Sequence, residues 1–426
     1  LAQLYQTRER FDDALAQIKE ALKVSPASAA AYVQLGNWYK SRGDWARAEE
    51  AYRQAIAVAP AEPSGHIALG EFQEVVGDHA AAARSFQRAI VISPADASGH
   101  LALAELYLAR GDRTAAERAY QQAIDVAPTD PRGYLGLGQL YHTQGWQDEA
   151  LAQFQAAVEV APASVQAYTQ LGGWYRLQAN AKAAQEAYRG AMAVAPGDNG
   201  GYIALAELYL STGERDAAEA TYQQAIAVAP ADPRGYLGLG QLYQTQGRHD
   251  EALAQFQTAV EVAPASVRAY VQLGDWYRLQ GDAKRAEETY QQAIAVAPGD
   301  EAGHVALGEL YLSKGNWAAA QEAYQRAIAS APSDPSGYIG LGQTYEVQGR
   351  RDQALSMFQS AVEAAPASVQ AYVQLGDWYR LQADSGAAEQ AFQQAVAMGP
   401  ADPEGYISLG QLYQSQGLHD DALAQF

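Results

Sequence analysis

The seven histidines are the first candidates for chemistry in this chain, since imidazole titrates near neutrality and is a common metal ligand. Their spacing argues against both roles. His66, His100 and His304 share one position of a repeating unit, while His79, His249 and His419 share another beside Asp78, Asp250 and Asp420. No two stand at a close ligand spacing within one unit, so no metal site is expected. Gly133, Gly136 and Gly138 in GYLGLG, and the same run at 235–240, imitate a dinucleotide loop. That loop must follow a strand and open a helix onto the pyrophosphate, whereas these runs recur in register inside a helical pattern. No Ser, His and Asp grouping departs from the period either. Cysteine is absent, which removes thiolate ligands, disulfides and thiol nucleophiles together. An active site should interrupt a repeat and nothing interrupts this one, so the expectation is a chain that is not an enzyme and uses no cofactor.

The elements that would position any site follow from the prolines. Twelve of them, at 26, 60, 94, 128, 162, 196, 230, 264, 298, 332, 366 and 400, are spaced by 34 residues without a slip, and the other five of the 17 each lie three residues after one of these. Within a unit such as Pro264–Ala297, Tyr270, Leu273, Gly274 and Tyr277 mark one helix face, and Ala286, Tyr290, Ala293 and Ile294 mark a second. Gly281 between them stops the first helix, and Pro298 ends the second. The third residue of the unit is Ser or Asp in eleven of twelve units, Glu62 being the exception; there it predicts an N-cap worth about 1 kcal/mol. A proline following the cap fits the first helical position, where its missing N–H costs nothing. Each unit is therefore a helix–turn–helix, with helices about 20 Å long at 1.5 Å per residue.

These residues resemble the tetratricopeptide repeat (TPR), whose unit is 34 residues. Its Leu is present thirteen times from Leu1 to Leu409, its second-helix Ala thirteen times from Ala14 to Ala422, and its first-helix Tyr twelve times with Gln73 the departure. The small residue after the Leu is Gly or Ala throughout, as in Gly36, Ala104 and Gly376. The second-helix aromatic fails only at Ile18, and the leading aromatic is Tyr in nine units and His in three. The resemblance implies an all-α, right-handed superhelical solenoid of about 12.5 repeats. Residues 1–25 form a partial repeat, full repeats begin at 26, 60, 94, 128, 162, 196, 230, 264, 298, 332 and 366, and 400–426 is partial, in one continuous array. Within 128–399 a longer period of 102 residues shows, its first members agreeing at 29 of 34 positions. Leu1–Ile18 and Leu409–Phe426 start and stop inside a repeat, which suggests either a window on a longer array or ends covered by another copy.

Charge narrows the partners. Against 29 Lys+Arg stand 49 Asp+Glu, a net charge of −20. Such a surface repels phosphate backbones, so nucleic acid is not expected. No run of 18 apolar residues exists, so membrane insertion is not expected. An acidic chain without cysteine suits an extracellular filament and a cytosolic scaffold about equally.

The resemblance also implies a concave groove lined by the first helices that binds proteins or extended peptides. Val33, Leu135, Val271, Ile339 and Val373 fall in one groove row, with Thr169 its exception. Asn37, Glu71, Glu105, Gln139, Glu207, Gln241, Asp275, Glu309 and Asp377 fall in a second, and Arg176, Arg278 and Arg380 in a third. Asn37, Gln139, Arg176, Gln241, Asp275, Arg278, Asp377 and Arg380 are the expected contacts. Arg278 and Arg380 are spaced to reach Asp275 and Asp377 one turn earlier. The Lys and Asn clamp by which some members grip a C-terminal carboxylate is represented only by Asn37 near Lys40, so that ligand is not expected. Trp38, Trp174, Trp276 and Trp378 share one position, where packing against the neighbouring repeat is favoured over a ligand-stacking ladder. The second reading is a rod or filament in which further copies stack end to end. Ser28, Ser164, Ser266 and Ser368, with Thr129 and Ser333, are candidate O-glycan carriers beside proline, although capping explains the serines without glycans. No Asn begins an N-x-Ser/Thr sequon.

Overall fold

The computed structural model describes residues 11–425; the expected packing of Leu1 and the start of the first partial repeat lie outside them. Every regular element among the described residues is an α-helix, and there are 25, from Phe11–Val24 to His419–Gln425. Each full repeat pairs a first helix of 12 or 13 residues with a second of 14, as in Val267–Leu279 and Ala283–Val296. The fold is a helical repeat solenoid. By backbone proximity it divides into two compact units. One holds Leu1–Ala59, Ile124–Gly138 and Leu151–Pro298, the other Pro60–Ala123, Gln139–Ala150 and Gly299–Phe426.

Helix starts are built by the third residue of the repeat. All eleven Ser and Asp side chains there accept a backbone N–H, in two geometries. The serines reach three residues on, as Ser266 Oγ to Ala269 N at 3.3 Å. The aspartates reach two residues on, as Asp334 Oδ1 to Ser336 N at 2.8 Å. Pro233, Pro335 and Pro403 occupy the first helical turn behind such a cap. Pro63 differs: it follows Glu62, stands just before the helix Ser64–Val75, and no side chain caps that helix start.

The turn between paired helices needs a left-handed residue. Ten glycines take it with φ between 70° and 83°, Gly281 among them. Two repeats carry alanine there instead, Ala179 at φ 55° and Ala383 at φ 61°, a conformation in which a Cβ crowds the following carbonyl.

Packing within a repeat depends on the small residue facing the second-helix aromatic. A Cβ on Gly274 would lie 2.4 Å from Tyr290 Cε1, and one on Gly376 2.5 Å from Phe392 Cε1. The GYLGLG run uses close approach three times, once within its own repeat at Gly240 and twice against the preceding repeat. Gly235 faces Ile226, Gly238 faces Tyr222 and Gly240 faces Phe256, each too close to admit a Cβ without a shift. Trp378 serves the neighbouring repeat: it is buried with Leu341, Tyr345, Ala354 and Phe358 of the repeat before it, and it stands edge-on to Tyr379 at 5.3 Å.

Candidate binding face on the first helices

The expected contact residues stand on the first helices but in different circumstances. Asp275 Oδ1 accepts 2.7 Å from the Tyr290 hydroxyl and 3.2 Å from Arg278 Nη2. Burial, helped by Asp275, raises the Tyr290 phenol well above its ordinary range. In the Pro366 repeat the phenol is replaced by Phe392, and Arg380 gives Asp377 Oδ1 both Nε and Nη2, at 3.2 and 2.8 Å. Asn37 Oδ1 accepts 2.7 Å from Tyr52. Arg176, whose repeat has Gly173 in the second row, turns to Tyr188; burial raises that phenol and Arg176 opposes the rise. Asn37, Arg176, Asp275, Arg278, Asp377 and Arg380 are thus already engaged with their own repeats.

Two expected residues line cavities instead. Gln241 borders one of about 370 Å3 in the first compact unit. Its walls come from three successive first helices: Ile203, Glu207 and Leu210, then Arg234, Leu237, Gly238 and Gln241, then Arg268 and Gln272. Tyr222 enters from a second helix. Arg234 is taken by Asp232 at 2.7 Å and Asn199 at 2.8 Å. Gln272 Oε1 is buried with no hydrogen-bond partner, while Arg268, exposed, forms no ion pair among the described residues. Burial followed by the charge of Glu207 pushes the Tyr222 phenol up to about 12. The cavity so offers an aliphatic floor, an unfilled acceptor and an unpaired cation. Gln139 borders a different cavity in the second compact unit, with His142, Thr143, Val369 and Met398.

First helices of the second compact unit carry neighbouring acids. Glu74 is held above the usual carboxylate range by burial, then by Glu105 and Glu71, and Glu346 by burial and Asp377. The sequence reading missed Gln272 and Arg268, because a buried acceptor and an unpaired guanidinium leave no mark on a repeat pattern. His79, beside Asp78 at the start of a second helix, is half-buried, and burial lowers its pKa. Among the described residues no group of three His, Cys, Asp or Glu side chains is arranged to hold a metal ion. No described helix is long and apolar enough to cross a membrane. The four capping serines are engaged with backbone N–H groups.

Helix pairs recurring every 34 residues define a helical-repeat protein. Sequence profiles of the tetratricopeptide repeat match residues 1–39, 33–97, 101–165, 203–256, 305–369 and 373–426, and a further profile of the same repeat matches 233–299. The chain belongs to the tetratricopeptide repeat family. No curated protein matches the sequence. Among solved structures, yeast Tom70 is similar over 93% of this chain and 96% of its own, with TM-score 0.51 and 15% identity. The APC/C hetero-tetramer Cut9-Hcn1 gives a TM-score of 0.39 at 13% identity over 96% of this chain and 95% of that one. At such identities the likeness to Tom70 speaks for the fold alone.

Proposed function

We propose that this chain is a non-enzymatic scaffold that binds extended peptide segments of partner proteins on its first-helix face. The cavity walled by 203–272 carries the reading. Three consecutive repeats contribute to it, and its buried Gln272 Oε1 lacks the donor that a buried acceptor ordinarily has. A peptide backbone supplies such a donor at regular intervals, and its aliphatic side chains would cover Ile203, Leu210 and Leu237. Asp275, Arg278, Asp377 and Arg380 become contacts only where a ligand displaces their present partners, and Gln139 would meet a ligand in the cavity that it borders.

The test is fluorescence anisotropy with a panel of labelled extended peptides of acidic, basic and neutral aliphatic composition. Gln272→Ala and Arg268→Ala should weaken the best binder, whereas Gln291→Ala on an exposed second-helix position should not. Equal losses at all three positions would remove the assignment of the face.

A second reading, a rod or filament of end-to-end repeats, is favoured by one observation. The period never slips across twelve prolines, so neighbouring-repeat contacts can propagate without a defect.

A further inference from the structure

The fifth residue of the repeat is arginine three times, at Arg132, Arg234 and Arg268. In the first two of these repeats the third residue is aspartate, and the two side chains close across the proline. Arg132 Nη2 lies 2.6 Å from Asp130 Oδ2, and Arg234 Nη2 lies 2.7 Å from Asp232 Oδ2. The Pro264 repeat departs from that pairing. Its third residue is Ser266, whose Oγ accepts from Ala269 N and carries no charge. Arg268 is thereby left exposed, with no ion pair among the described residues. It also breaks the 102-residue period, because the matching residues one period before and after are Gln166 and Gln370.

Arg268 stands on the wall of the cavity in the first compact unit, one helical turn before Gln272, so both side chains border the same space. Gln272 Oε1 is buried there without a donor. The other guanidinium on the wall, that of Arg234, is already held by Asp232 and Asn199. The carboxylate of Glu207 comes from the first of the three helices and Arg268 from the third. Salt screens exposed charges beyond about 8 Å at physiological ionic strength, so the sign of the Arg268 end is set by Arg268. Ile203, Leu210 and Leu237 make the wall between them aliphatic.

We infer that the extended peptides bound in this cavity carry an acidic side chain that pairs with Arg268, beside a backbone N–H donated to Gln272 Oε1 and among aliphatic neighbours. The inference rests on the scaffold reading above and adds to it the charge class of the bound segment. A guanidinium free of its own repeat can give a carboxylate two parallel N–H groups without breaking an existing pair. The net charge of −20 opposes acidic ligands at long range. Selection is therefore local: one carboxylate at one register of an apolar segment, not an acidic run.

The test takes the neutral aliphatic peptide of the anisotropy panel, with each residue replaced in turn by Glu, Gln or Lys. At one position the Glu form should bind about threefold or more tighter than the Gln form, with the Lys form weaker than either. The gap should close in about 1 M salt. Arg268→Gln installs the residue of the matching repeats and should abolish the gap. Ser266→Asp restores the Asp–Arg pair of the Pro128 and Pro230 repeats and should abolish it with the guanidinium still present. Both residues already occur at these positions elsewhere in the array, so both variants should fold. Equal binding of the Glu and Gln forms at every position would overturn the inference, as would a gap that survives either variant. Each of those results leaves the scaffold reading standing, whereas no binding of any form would overturn both.

Discussion

The hydroxyl of Tyr290 donates a 2.7 Å hydrogen bond to Asp275 Oδ1, tying the second helix of a repeat to an acid expected to face a ligand. The Pro366 repeat shows the alternative, with Phe392 in place of the phenol and Arg380 giving Asp377 two N–H groups. Tyr290→Phe should therefore let Arg278 take over the carboxylate. Denaturant unfolding should show a loss of about 0.5–1.5 kcal/mol, the net worth of one partly buried hydrogen bond. A loss several times larger would mean that Arg278 does not take over.

Ala179 and Ala383 are the only non-glycine residues with positive φ among those described. Replacing either with glycine removes the left-handed penalty at the cost of a more flexible unfolded chain. The net expectation is about 0.5–1 kcal/mol of added stability per site. Calorimetric melting of the single variants and the double variant measures it, and a lowered melting temperature would contradict the strain assigned to these turns.

Ala286 is fully buried at the contact of paired helices. Ala286→Trp should overpack it and cost about 1–3 kcal/mol or more. Unfolding indistinguishable from the parent would mean that the small positions do not set the helix approach.

Much of this was legible beforehand, because it depends on neighbours in sequence. The capping Ser and Asp residues, the stop at Gly281 and the small position opposite Tyr290 each act within one 34-residue unit. What escaped depends on distance. Arg113 meets Ala397 and Met398 eight repeats away, a pairing set by the small rotation each repeat adds, which no residue type encodes. Arg278 looked like a ligand contact because spacing shows that it reaches Asp275 but not that Tyr290 is there too. Gln272 carries no pattern at all; its missing partner appears only once three helices enclose it.

His66 and His100 replace the leading Tyr of other repeats, and burial lowers the pKa of both, with Arg88 adding to the effect at His66. A base with a folded pKa below its unfolded value binds fewer protons when folded. Stability is then fullest above the unfolded value, about 6.5, and declines as pH falls through it toward the folded value. The variant with His66→Tyr and His100→Tyr should lose less stability than the parent between about pH 7.5 and 5. Thermal melts across that range decide it, and parallel pH profiles would contradict the prediction.

The scaffold reading is tested most directly by hydrogen–deuterium exchange of the chain with and without the tightest peptide from the anisotropy panel. The account predicts that added protection falls on Gly200–Ser211, Pro233–Thr245 and Val267–Leu279, the first helices around Gln272. Protection falling instead on the paired second helices Arg215–Val228, His249–Val262 and Ala283–Val296 would contradict it.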